Sequence, residues 1–277
     1  GQPGPQERAG FTALPQVLPL LVVLALSGCG GTGYRGAAAP QVAAKSQCDA
    51  FLGRTYGGAT VTRAQLVSAT DSVLEYCIVR GEMQKDLDFD VRMPTEWNRR
   101  TVFRGGGGFD GYLDLPRISD PAVSPSGSPN LAKHGYATIA TNHGHNSPGA
   151  SFALDEDMLA DYGNRAVPRV LCPAKAILRE RYGNTFSDTK LVYEGCSGGG
   201  RQGLIAAQRY PDLFDGVISR APANAYTPQL LHYQQVAQQL AAPGAALSSA
   251  KIRAISDAVM AKCDSLDGLK DNTISRP

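Results

Sequence analysis

The chain has 277 residues, a formal net charge of +2, and 43% hydrophobic against 19% charged residues. The near-neutral balance excludes a strongly basic nucleic-acid binder and an acidic solvating tail, and the composition excludes wholesale disorder. The length gives one large domain or two smaller ones, and six cysteines are too few for a disulfide-dense scaffold.

Val17 to Leu26 (VLPLLVVLAL) is an apolar run too short to cross a bilayer, which takes about 20 residues. It fits the apolar part of a secretory leader. The run ends in Leu26-Ser27-Gly28-Cys29, similar to the lipobox of bacterial lipoproteins, in which Cys29 becomes the lipid anchor. An ordinary cleaved leader with an incidental Cys is the alternative. Residues 1–28 are therefore expected to be a signal peptide, and residues 29–45, rich in Gly and Ala, a flexible tether. Either alternative puts the protein outside the cytoplasm: secreted, periplasmic or lipid-anchored to the membrane. Disulfides are permitted there.

After Cys48 the sequence predicts a helical stretch around Arg63 to Tyr76. Leu87 to Met93 alternates apolar and polar residues as a half-buried strand does, and Pro94 stops it. Thr101-Val102-Phe103 is a short strand running into Gly105-Gly106-Gly107-Gly108, and Tyr136 to Thr141 is another, ending at Asn142-His143-Gly144-His145. Arg165 to Tyr182 carries Val167, Val170, Leu171, Ala174, Ile177 and Leu178 at helical spacing. Lys190 to Tyr193 reads as a strand, Gly200 to Arg209 as a helix, and Gly216 to Ser219 as a strand. Beyond Pro222 the pattern turns to two helices, Gln229–Leu240 and Ser248–Lys262. Strands alternating with helices predict an α/β fold with a mostly parallel sheet.

Gly195-Cys196-Ser197-Gly198-Gly199 matches G-x-S-x-G, placed between a strand and a helix. That position suits a nucleophile elbow, a sharp turn that lifts a serine Oγ above the sheet edge. The flanking glycines let neighbouring chain pass closely, and the helix N-terminus supplies a positive field where an oxyanion develops. A Gly-rich turn needed only for tight packing is the plainer alternative. An oxyanion hole takes the N–H of the residue after the nucleophile, here Gly198, and a second N–H from the loop after an earlier strand. Gly105–Gly108 lies at the right place in chain order for that donor. A phosphate-cradling loop is disfavoured because GGGGFDG lacks the Lys-Ser/Thr of a P-loop.

The triad does not close. The chain order in this fold is Ser, then Asp or Glu, then His, and His232 is the sole histidine after Ser197. It sits in a Gln-rich helical segment and is expected to be an exposed helix residue. His134, His143 and His145 precede the nucleophile. With Gly as its first residue, the chain reads as a fragment, inactive alone, whose triad partners are expected beyond Pro277.

The residues resemble the tannase/feruloyl esterase family from about Cys48 onward. The similarity is carried by Arg92-Met93-Pro94-Thr95-Glu96-Trp97-Asn98, the glycine loop, His134 to Thr141 (HGYATIAT), Gly195 to Gly203 (GCSGGGRQG), Arg209 to Gly216 (RYPDLFDG) and Cys263 to Leu269 (CDSLDGL). The resemblance implies a secreted carboxylic ester hydrolase acting on aromatic acid esters of feruloyl, galloyl or terephthaloyl type. It implies an incomplete α/β-hydrolase core over residues 46–222 and the beginning of an inserted lid over 223–277. Ser197 would be the nucleophile, with the N–H groups of Gly108 and Gly198 as the oxyanion hole. Cys48 and Cys77 would pair. Cys196 and Cys263 would lack partners in this chain, while Cys172 reads as a buried thiol on a helix face. Other specificities on the same elbow (lipid or peptide hydrolysis) and a non-catalytic lipid-anchored binding protein are the rival readings. The partner called for is a small-molecule aromatic ester, and no protein partner is inferred.

Asp264, Asp267 and Asp271 place three hard carboxylates close together around Gly268. By composition alone this is either a metal loop or an exposed acidic turn. The resemblance implies structural calcium held by the side chains of Asp264, Asp267 and Asp271 and the carbonyls of Leu269 and Thr273.

Overall fold

The computed structural model describes residues 44–71, 74–84, 86–113, 131, 133–147 and 149–275. The leader, Cys29 and the tether as far as residue 43 lie outside the described residues.

Eight strands form one sheet: β1 (Thr55–Tyr56), β2 (Ala59–Val67), β3 (Tyr76–Met83), β4 (Leu87–Pro94), β5 (Arg100–Arg104), β6 (Ala137–Thr141), β7 (Lys190–Cys196) and β8 (Gly216–Arg220). Their spatial order is β1-β2-β3-β4-β6-β5-β7-β8. Pairings from β1 through β4 to β6 are antiparallel, whereas β6–β5, β5–β7 and β7–β8 are parallel. The sheet is therefore mixed and not mostly parallel. Its N-terminal strands follow one another through connections too short for a crossover helix, and antiparallel pairing is the geometry such links allow.

The helices are α1 (Ala44–Asp49), α2 (Glu156–Ala160), α3 (Ala166–Tyr182), α4 (Gly198–Arg209), α5 (Tyr226–Ala241) and α6 (Ser249–Cys263). A π-helical turn, Asp161–Arg165, joins α2 to α3. The apolar positions that predict α3 are its buried face: Val167, Val170, Leu171, Ala174, Ile177 and Leu178. That face packs on β4 and β6, while α4 packs on β7 and β8. Phe89, Val91, Met93, Phe103, Ile139 and Tyr193 complete the core between sheet and helix.

Among the described residues no helix forms between Arg63 and Tyr76. Most of β2 lies there, paired with β3 from Thr60 to Val67. Ala59 and Val61 are buried while Thr60 and Thr62 are exposed, the alternation of a pleated strand. Thr60, Val61 and Thr62 are β-branched and favour that backbone. Cys48 of α1 and Cys77 of β3 form a disulfide with a Cα–Cα distance of 5.5 Å. Cys196 and Cys263 are free among the described residues. Cys172 corrects the sequence expectation, being disulfide-bonded and only partly buried on α3.

Candidate active site

The site is assembled where β7 ends. Cys196 closes the strand, Ser197 turns the chain, and α4 starts at Gly198. Ser197 has φ +59° and ψ −119°, a backbone region that residues with a Cβ rarely adopt. Its N–H donates to the Arg220 carbonyl at the end of β8 (3.1 Å), and its own carbonyl accepts from Arg201 N–H (3.0 Å) and Ala223 N–H (3.1 Å). The turn is thus pinned on both sides while the serine side chain stays exposed. Gly195 is required by a close approach: a Cβ there would lie 2.5 Å from the Gly199 carbonyl group.

The glycine loop after β5 lies against this turn. Gly105 N–H donates to the Glu194 carbonyl (2.7 Å), and Gly199 N–H donates to the Gly106 carbonyl (3.1 Å). A Cβ on Gly198 would stand 2.8 Å from Gly108 O and 3.3 Å from Gly108 N, so the two backbones are in direct contact. Gly198 lies in the first turn of α4, where an amide has no carbonyl partner within the helix. The Gly108 carbonyl lies within hydrogen-bond reach of the Tyr162 hydroxyl (3.1 Å) and 3.5 Å from the Tyr226 hydroxyl, and the two hydroxyls, one proton each, stand 2.8 Å apart. The Arg201 guanidinium stacks over both tyrosine rings, 4.6 Å and 5.2 Å from their centroids. An aromatic group of Phe109, Phe152, Tyr162 and Tyr226 therefore flanks the loop.

Beneath the loop lies a buried polar cluster that the sequence pattern does not announce. Asp110 is 4% exposed and His143 1%, both at positive φ. The Asp110 carboxylate accepts from Gln202 Nε2 of α4 (2.6 Å), and the Tyr193 hydroxyl reaches Gln202 Oε1 (3.0 Å). His143 Nδ1 approaches Asp110 Oδ2 to 3.3 Å without hydrogen-bond alignment, and neither ring nitrogen has another partner among the described residues. Burial pushes the Asp110 carboxyl up to about 7, and burial next to Arg201 and His145 pushes His143 down to about 3. His145 Nε2 donates to the Phe109 carbonyl (2.7 Å). The available signal is two polar stretches, Phe109-Asp110-Gly111 and Asn142-His143-Gly144-His145, each at the end of an expected strand.

The structure thus brings Ser197, Gly198 and Gly108 together. It does not bring an imidazole to Ser197: among the described residues no histidine hydrogen-bonds its Oγ, His232 is exposed on α5, and His134 is exposed before β6. In the acidic loop, Asp264 is buried and its Oδ1 has no partner among the described residues. Asp267 accepts from Leu269 N–H (2.9 Å) and Asp271 from Thr273 N–H (3.0 Å). Among the described residues no three acidic, Cys or His side chains converge as a metal site. The orphaned Asp264 oxygen and the hard-oxygen character of the loop nevertheless fit a calcium ligand set.

A family model described as tannase and feruloyl esterase matches residues 71–277. Mono(2-hydroxyethyl) terephthalate hydrolase of Piscinibacter sakaiensis is 30% identical over 244 residues, covering 76% of this chain and 39% of that protein. A probable feruloyl esterase B-2 of Aspergillus flavus is 31% identical over 233 residues, covering 82% of this chain and 42% of that one. Among solved structures, feruloyl esterase B from Aspergillus oryzae superposes with a TM-score of 0.70 at 26% identity, over 84% of this chain and 48% of that chain. Tannin acyl hydrolase from Aspergillus niger has a TM-score of 0.62 at 22% identity, a likeness of fold, over 83% and 46% respectively. The chain spans less than half the length of each.

Proposed function

This chain belongs to the tannase and feruloyl esterase family of carboxylic ester hydrolases, with an α/β-hydrolase core, and from that membership we propose a serine esterase acting on esters of aromatic acids. The observation carrying this reading is the left-handed turn of Ser197 against the Gly108–Gly198 contact. Relatives are named for feruloyl, tannin acyl and terephthalate esters, whose acids all carry an aromatic ring; that supports the acyl class.

In the proposed reaction Ser197 Oγ bonds to the ester carbonyl carbon, and the carbonyl π electrons move onto its oxygen. The amides of Gly108 and Gly198 stabilise that oxyanion, a contribution of about 3 kcal/mol per donor in well-measured cases. A general base takes the Oγ proton and returns it to the leaving alcohol as the tetrahedral adduct collapses. Water then attacks the acyl-serine by the same route and releases the aromatic acid. The Phe109–Tyr226 side of the loop offers an aromatic wall for the acyl ring.

The leader-like run at Val17–Leu26 supports an extracytoplasmic location. Calcium would be held by Asp264, Asp267 and Asp271 with the carbonyls of Leu269 and Thr273; it would neutralise the buried Asp264 and brace the loop, taking no part in the chemistry.

The test is Ser197→Ala in the complete protein, assayed on feruloyl, galloyl, mono-terephthaloyl and p-nitrophenyl esters. Activity should fall by at least about 10³-fold, and labelling by a fluorophosphonate should vanish. Retained hydrolysis, or no activity of the parent on any aromatic ester, overturns the reading.

A further inference from the structure

The pair Asp110 and His143 is left unused by the chemistry above, yet both residues are almost completely enclosed. They lie at a junction. Asp110 Oδ1 presses on the underside of Gly106, where a Cβ would come within 1.7 Å of it. Gly106 in turn accepts the Gly199 N–H, one residue beyond the oxyanion donor Gly198. Asp110 N–H closes a turn onto the Gly107 carbonyl (2.9 Å), directly before Gly108, and Gly111 N–H donates to the Asn142 carbonyl (3.1 Å). From α4, Gln202 grips the carboxylate, and the Tyr193 hydroxyl touches both Gln202 and the Gly199 carbonyl (2.9 Å). The groups facing Asp110 are thus Gln202 and Arg201 from α4, Tyr193 from β7, His143 and His145 from the segment after β6, and Tyr162 from the π-helical turn.

A buried carboxylate with only neutral donors, here Gln202 and the Gly107 backbone, is costly unless its surroundings are fixed by something else. Here it connects the loop carrying one oxyanion donor to the helix carrying the other. We propose that Asp110, set by Gln202 and His143, is a positioning residue that holds the Gly108 amide in register with the Gly198 amide. Its contribution appears in the transition state, when the two amides must meet one oxygen, and not in ground-state binding.

This inference rests on the esterase reading, and the experiment separates the two. Asp110→Asn keeps the shape and the acceptor while removing the charge. In the complete protein it should lower kcat on a p-nitrophenyl ester about 10- to 100-fold with KM within about twofold. Affinity for a boronic acid, which becomes tetrahedral on the serine, should weaken by the same factor as kcat/KM. Gln202→Met is the second variant, expected to shift kcat in the same direction, and it carries the test if Asp110→Asn does not fold. Unchanged kcat and boronate affinity in both variants, or a KM rise without a kcat fall, overturns the positioning role. Activity surviving Ser197→Ala would instead sink the esterase reading on which it depends.

Discussion

Asp110 carries a second consequence, in stability. Its carboxyl is raised from 3.8 to about 7 by burial, and that of Asp88 on β4 to about 6 by burial and by Glu82. Between about pH 4 and these values the folded chain holds protons that the unfolded chain has released. The share of stability from these two carboxyls therefore falls as pH rises through this window, since the unfolded state then binds fewer protons. Buried His143, at about 3 folded against 6.5 unfolded, adds a share that rises between those values. In urea unfolding from pH 5 to pH 8, the stability of the parent minus that of Asp110→Asn should decline as pH rises, because the substitution removes the Asp110 share and leaves those of Asp88 and His143. A parent-minus-variant difference that stays flat or rises with pH would contradict the burial of Asp110.

At the scale of elements, the antiparallel half of the sheet is stapled where it begins. The Cys48–Cys77 bond ties the short helix α1 to β3 across 29 residues of chain. Six residues are far too few for an independently stable helix, so α1 depends on this bond and on Phe51, which is buried just after it. Replacing both cysteines by Ser should cost about 3.6 kcal/mol on loop-entropy grounds, read as a lowered Tm, with α1 losing amide protection first. A change under about 0.5 kcal/mol would show that packing alone holds the segment.

The strands from β4 to β8 are legible in the sequence because their apolar runs are short and punctuated by Pro or Gly. The stretch expected to be helical, Arg63 to Tyr76, contains Ala64, Gln65 and Leu66, which suit a helix well enough. Pairing with β3 overrides that weak preference. The elbow is legible because its geometry demands a local pattern. Asp110 and His143 are not, because their meaning comes from a contact between residues far apart in sequence, and a buried carboxylate in a glycine loop looks on paper like any turn residue.

The molecule as a whole has two characters. From β1 to β8 it is a sheet with its core sealed by α3 and α4. The final segment differs, since α5 and α6 contain no buried residue and expose Leu231 (62%) and Ile255 (55%) among others. These side chains are exposed among the described residues and add nothing to the core between sheet and helices. Leu231→Gln combined with Ile255→Gln should change the unfolding free energy of this chain by no more than about 0.5 kcal/mol and reduce its binding of a hydrophobic dye. A loss above about 2 kcal/mol would mean that these side chains are packed.

The backbone of Ser197 has a last implication. A residue with a side chain held at φ +59° costs roughly 1–3 kcal/mol, and glycine would occupy the same turn nearly free of that cost. Folding alone would favour the substitution Ser197→Gly, and a chain with no chemistry to perform would gain stability by drifting to it. Serine at this position is thus held against a thermodynamic gradient.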